Sequence, residues 1–186
     1  MLTSKAVITD AEEKMKKSVD VVSQNFSGIR SGRATPGMVE HLRVDYYGTP
    51  TPVKQMASVT IPEPRTLLIH PWDPSALKAI EKAIGESDLG IAPVIDGKIV
   101  RLVVPPLTRE RREELVKIVH KLAEEGRVSL RSVRREANEK IKQLEKEKTV
   151  TEDDSFKSMD DIQKLTDRHI QLIDQAQSAK EKELQS

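Results

Sequence analysis

From Leu107 to Lys148 the chain runs without a proline, and apolar residues recur at Leu115, Val119, Leu122, Leu130, Val133, Ala137, Ile141 and Leu144. Spacings built from three and four residues put these side chains on one face of an α-helix. At about 1.5 Å per residue, an unbroken helix of this extent is roughly 60 Å long, longer than a small domain is wide. Its apolar stripe therefore needs other helices beside it along the whole length. Gly126 falls on the stripe. There it costs about 1 kcal/mol of helix stability and lets a neighbour approach closely. The same helix carries Arg127, Arg131, Arg134 and Asn138. At about 100° per residue these form a line about a third of a turn from the stripe.

Two further segments have matching faces. In the first, Met15, Val19, Val22, Phe26 and Ile29 alternate steps of four and three, and Thr9 with Glu12 has capping-box spacing, which predicts a helix over 9–29. The other follows TVTEDDS, with Met159, Ile162, Leu165, His169, Leu172, Ala176 and Ala179 on its stripe. Asp153, Asp154, Asp160 and Asp161 favour its N-terminal dipole end. Three such helices packed antiparallel share one seam, so 1–29 and 107–186 are expected to form a three-helix bundle.

All ten prolines lie between Pro36 and Pro106, which marks 30–106 as a separate domain inserted between the first two helices. Within it HLRVDYY, ASVTIP, RTLLIHP and KIVRLVVP read as strands, and YGTPTP, PEP and DG as turns. PSALKAIEKAIGES reads as a single helix, with Pro74 in its first turn and Gly85 near its end. Trp72 and the pair Tyr46 and Tyr47 are expected to pack inside this domain. After Pro105 and Pro106, Thr108 is the expected cap of the long helix. The fold class is thus α+β, with hinges at the two crossings, near Arg30 and Ser31 and near Pro105, Pro106 and Leu107.

Charge narrows the function. Residues 107–150 hold 13 Lys and Arg against 9 Asp and Glu, a balance of +4, whereas 151–186 hold 5 against 9, a balance of −4. A near-neutral total of +1 hides a basic helix beside an acidic one. Guanidinium groups spaced along a rigid rod clamp phosphates at several points; equally, charged runs on long helices serve as solvated faces. Aromatics make up only 3% of the chain, which disfavours stacking platforms for unpaired bases and leaves backbone recognition. A scaffold or holdase that binds proteins through its helical surfaces is the alternative reading.

Catalytic chemistry has little support. With no cysteine there is no thiolate nucleophile, and His41, His70, His120 and His169 are scattered without ligand spacing, so neither a metal nor a cofactor is expected. His169 reads as a satisfied core or rim histidine, and the paired aspartates read as capping and solvated groups. No phosphate-binding P-loop and no nucleophile elbow occurs. The start, MLTSKAVITDAEEK, lacks a signal pattern, and no run approaches the ~18 apolar residues of a membrane span. The expected setting is the cytoplasm, away from membranes.

IRSGRATP at 29–36, YYGTPTP at 46–52, ASVTIPEPRTL at 57–67, SDLG at 87–90, PPLTRERREEL at 105–115 and VRREAN at 133–138 resemble, in order, the motifs of the bacterial ribosome recycling factors. The resemblance spans nearly the whole chain. It implies an L-shaped molecule, an antiparallel three-helix bundle with an inserted small β/α/β sandwich domain on a flexible elbow. It also implies a non-enzymatic translation factor that binds the post-termination ribosome and splits its subunits with elongation factor G, which hydrolyses the GTP; separately from the resemblance, the chain is expected to be a monomer. By the same resemblance the bundle contacts large-subunit ribosomal RNA. Arg131 and Arg134 match the family's important arginines, and Arg112 matches another surface position. Arg30 and Arg33 match the entry motif near the elbow. The chain departs from the family pattern at Ser132, where Asn is common, and at Glu136, where Asp is common. The RNA-binding set on these grounds is Arg112, Arg127, Arg131, Arg134 and Asn138.

Overall fold

The structure, a computed structural model, describes residues 3–185. Its helices are α1 (Ser4–Ser27), α2 (Leu77–Gly85), α3 (Arg109–Lys146) and α4 (Glu152–Gln185). Its strands are β1 (Arg43–Tyr46), β2 (Thr49–Pro52), β3 (Ala57–Glu63), β4 (Thr66–Pro71), β5 (Val94–Asp96) and β6 (Ile99–Val103). Contacts divide the chain into two compact units, one of Met1–Ile29 with Arg109–Ser186 and one of Arg30–Thr108.

In the first unit, α1, α3 and α4 form a three-helix bundle. Val7 and Ala11 of α1 pack with Ala137, Ile141 and Leu144 of α3 and Ile162 of α4. The beginnings of α1 and α4 thus both meet the end of α3, so α3 runs against its two neighbours. Burial of Val7 and Ala11 also explains why α1 begins earlier than its pattern predicts. Thr3, not Thr9, is the cap, its hydroxyl accepting from the Ala6 N–H at 3.2 Å. Thr9 lies inside the helix and donates to the Lys5 carbonyl at 2.9 Å.

At Gly126 side chains of both α1 and α4 press against α3. A Cβ there would stand 2.9 Å from Ile173 Cδ1 of α4, and nearer still to Val22 Cγ2 of α1, inside any real carbon–carbon contact. Glycine is kept mid-helix because the space for a side chain is already filled.

The turn between α3 and α4 stops one helix and starts the next. Lys148 takes a positive φ of 55°. Its N–H donates to the Glu145 carbonyl and that of Thr149 to the Leu144 carbonyl, both at 2.9 Å, the paired bonds of a Schellman cap. Thr151 then accepts from the Asp154 N–H at 3.1 Å, while its hydroxyl donates to the Asp154 carboxylate at 2.8 Å. As a result α4 begins inside the TVTEDDS segment expected to precede it. Its buried face is Ser155, Ser158, Ile162, Thr166, His169, Ile173, Lys180 and Leu184. Leu172 and Ala179, expected on the stripe, are exposed. Hydropathy misplaced them because small polar residues occupy the seam. Ser158 and Thr166 satisfy their hydroxyls on the carbonyls of Asp154 and Ile162, each at 2.7 Å, and so enter it cheaply. His169 is a satisfied core histidine, its Nδ1–H donating to the Leu165 carbonyl at 2.7 Å.

The second unit holds an antiparallel sheet in the order β3-β4-β6-β5 and a separate hairpin of β1 and β2. Helix α2 contacts β1 of the hairpin and β5 and β6 of the larger sheet, giving β/α/β layers. Ile80 and Ile84 of α2 pack with Val44, Leu67, Ile69, Val100 and Leu102 in the core. Pro74 opens a short 3₁₀ turn ahead of α2, capped by Asp73, which accepts from the Ser75 N–H at 2.9 Å.

Two strands escaped the pattern. TPTP, expected as turn, is strand β2, since prolines are tolerated on an edge, and the turn itself is Tyr47 and Gly48. The three-residue β5 was too short to read. Trp72 is 67% and Tyr47 80% exposed, so neither packs inside the unit as expected. Tyr47 sits at a hairpin tip with φ of 50°, which turns it away from the core. Tyr46 does pack against the core, and its hydroxyl donates to Asp73 at 2.6 Å. That bond pushes the phenol up to about 12 and holds the Asp73 carboxyl below its ordinary range.

The two connectors meet within this unit. Gly32 adopts φ of 78°, and a Cβ on it would lie 3.2 Å from Leu107 Cγ and 3.7 Å from the Pro105 carbonyl oxygen. A side chain at this position would be strained by its own backbone as well as crowded.

Candidate nucleic-acid interface

The two long seams of α3 carry different chemistry. Toward α1, Lys14 reaches Asp10 at 3.1 Å and Glu136 at 2.9 Å, and Lys140 reaches Asp10 at 3.5 Å and Glu136 at 2.8 Å. Two cations and two anions alternate in a closed ring. Hydrogen bonds from Lys140 and then Lys14 hold the Glu136 carboxyl down to about 2. Hydrogen bonds with Glu136 and Asp10 raise the Lys14 ammonium. Below the ring, the hydroxyls of Ser18 and Ser129 meet at 2.8 Å. This side of α3 is internally neutralised.

Toward α4 lies the line of Arg127, Arg131, Arg134 and Asn138. Helix geometry brings them together as the spacing predicts, but their surroundings differ in ways that no spacing reveals. Arg127 makes a two-pronged bond to Asp174 of α4, from Nε at 2.9 Å and Nη2 at 2.7 Å, and a third to Glu124 at 3.3 Å. Burial opposes its charge, yet the bonds with Asp174 and Glu124 outweigh it and raise the guanidinium. Arg131 donates to the other oxygen of Glu124. Hydrogen bonds from Arg131 and then Arg127 therefore hold the Glu124 carboxyl below the usual range.

Arg134 is different. Its Nη1 donates to the side-chain oxygen of Gln163 at 3.0 Å, and the Gln163 amide in turn donates to Asp167 at 2.8 Å. A neutral amide thus aims the guanidinium, and among the described residues no carboxylate is paired with it. Asn138 presents a buried Oδ1 with no hydrogen-bond partner. Arg112, at the far end of α3, donates to the backbone carbonyl of Gln185 at 3.3 Å.

Glu124, Asp174, Gln163 and Gln177 are the residues that sequence reasoning missed. Glu124 was within reach of it, three residues before Arg127, the spacing of a helical ion pair. Gln177 accepts from Arg127 and donates to Glu181 at 2.7 Å, and Glu181 also meets His120 Nε2 at 2.8 Å. The arginine line is thereby tied to a network crossing from α3 to α4. Among the described residues there is no group of three His, Cys, Asp or Glu able to hold a metal ion. No helix among them is long and apolar enough to cross a membrane.

A rigid bundle with one neutralised flank and one arginine-bearing flank, and a small β/α/β unit inserted into its chain, is the build of a binding factor of two units. The family model described as ribosome recycling factor matches residues 22–184, and the chain belongs to that family. It is 53% identical over 181 residues to the ribosome-recycling factor of Symbiobacterium thermophilum, with 97% of this chain and 98% of that protein covered. It is also 53% identical over 180 residues to that of Syntrophomonas wolfei, with 97% of each covered. Among solved structures, a solution structure of a ribosome recycling factor shares 40% identity at a TM-score of 0.76, covering 100% of this chain and 99% of that one. Another, of the T. thermophilus factor with E. coli elongation factor G bound to the E. coli post-termination complex, shares 46% identity at a TM-score of 0.66, with both chains fully covered (100% each).

Proposed function

We propose that this chain recycles ribosomes after termination, binding the post-termination complex and separating its subunits together with elongation factor G and GTP. In this reading the bundle is the anchor. Arg134 is its principal phosphate contact, with Arg112, Arg127, Arg131 and Asn138 around it on ribosomal RNA of the large subunit. The observation that carries the anchor is the state of Arg134, oriented by Gln163 and, among the described residues, paired with no carboxylate. The smaller unit receives the push of the GTPase, and movement at Arg30, Ser31, Pro105, Pro106 and Leu107 converts it into prying of an intersubunit contact. GTP is hydrolysed by the partner, and this chain supplies binding and leverage.

Arg134→Glu tests the anchor. Loss of a charge-assisted phosphate bond weakens ribosome binding by roughly ten- to a hundredfold. It also lowers the slope of log affinity against log salt by about one unit. Equal affinity and an equal slope across a salt series reject the role of Arg134.

A further inference from the structure

Glu124 is the only carboxylate among the described residues that bonds two of the arginines on this flank. One of its oxygens takes Arg131 and the other takes Arg127. It is itself half-exposed, with 54% of its side chain open to solvent, so the pairing is maintained at the surface rather than forced by burial. The same carboxylate is absent from the surroundings of Arg134, three residues beyond Arg131. The flank therefore has one guanidinium available at once and two already occupied by an anion.

We infer that Glu124 is a specificity-determining residue, an internal anion that holds the donors of Arg127 and Arg131 until phosphates placed along the line beyond the one at Arg134 displace it. The inference rests on the anchoring reading above and says how that same site discriminates. An RNA surface that offers a single phosphate engages Arg134 alone. A folded RNA whose backbone follows the helix presents further phosphates along the line and exchanges Glu124 for them, gaining two more guanidinium contacts. Any random polyanion meets the carboxylate first, and its like charge penalises a misplaced phosphate. The exchange is reversible and local. Arg127 stays tied to Asp174 from its Nε and Nη2 while its bond from Nη1 to Glu124 is given up.

The test compares Glu124→Gln with Glu125→Gln. Both remove one negative charge from adjacent exposed positions of α3, but Glu125 makes no hydrogen bond or ion pair among the described residues. Binding of each full-length variant to poly(A)·poly(U) duplex and to purified ribosomes is followed over a salt series, with Arg134→Glu alongside and thermal unfolding as the folding control. E124Q is expected to bind the duplex roughly three- to tenfold more tightly and to steepen its salt slope by about one unit. Its gain on ribosomes should be smaller, so the ratio of ribosome to duplex affinity falls. E125Q should leave that ratio where it was. Equal effects of E124Q and E125Q reduce the result to net charge and overturn the inference. An unchanged E124Q beside a weakened Arg134→Glu overturns it while leaving the anchor standing, and unchanged binding in both removes anchor and inference together.

Discussion

Replacing Gly126 by alanine sets two effects of known size against each other. Helix propensity alone favours alanine by about 1 kcal/mol at an interior position. Against it stands the added methyl, which would lie 2.9 Å from Ile173 Cδ1 and closer still to Val22 Cγ2. Ile173 can yield, because the touching atom is the end of its side chain. Val22 cannot yield in the same way, since a β-branched residue in a helix has essentially one χ1 rotamer. Relief therefore requires α1 to move away from α3, at the overpacking cost of about 1–3 kcal/mol. The net expectation is a loss of up to about 2 kcal/mol, or a fall in Tm of about 2–8 °C for each kcal/mol. Urea and thermal unfolding followed by helical circular dichroism measure it directly. The cycle with Val22→Ala isolates the cause. With the valine methyls gone, alanine at 126 regains its propensity advantage, so the two changes couple by about 0.5–3 kcal/mol. A Gly126→Ala protein about 1 kcal/mol more stable than the parent would show that the three helices separate freely there, and the close-approach argument would fail.

Two other outcomes follow from the geometry. The Glu136 carboxyl, held near 2 against an ordinary 4.5, binds a proton less readily in the folded protein than in the unfolded one. Its contribution is therefore complete above about pH 4.5 and is lost as pH falls toward 2. Glu136→Gln should flatten the acid limb of Tm against pH between these values, and an unaltered limb would refute the ring of Asp10, Lys14, Glu136 and Lys140 as a source of stability. At the connectors, Ser31→Pro fixes one backbone angle and restricts Arg30 before it. Ribosome affinity should stay within about threefold, since no phosphate contact is touched, while GTPase-driven subunit separation, read by light scattering, slows severalfold; normal separation would dispose of the hinge.

Periodicity alone was enough to read the bundle. A long amphipathic stripe cannot remain exposed, so the helices and their faces were legible from Leu115, Leu130, Ile141 and their matches in α1. The line of arginines was equally legible, because a helix places residues three and four apart on one side whatever surrounds it. Errors arose wherever a contact overrode a local preference. Thr9 lost its cap role once Val7 and Ala11 found partners on α3 and α4. Leu172 lost its place to Thr166 and Ile173, because the seam selects shape and a satisfied hydroxyl over hydropathy.

Charge state was the part that only the tertiary structure decided. In the sequence Arg127, Arg131 and Arg134 are three equal cations on one helix. In the folded chain Asp174 and Gln163 arrive from α4, more than twenty-five residues away, and make Arg127 a neutralised tie and Arg134 an aimed charge that no carboxylate among the described residues pairs. A helix determines where its own side chains point, but whether each meets an anion or an amide depends on the register of its neighbour. That register is set by packing at positions such as Gly126, through contacts between segments far apart in the chain.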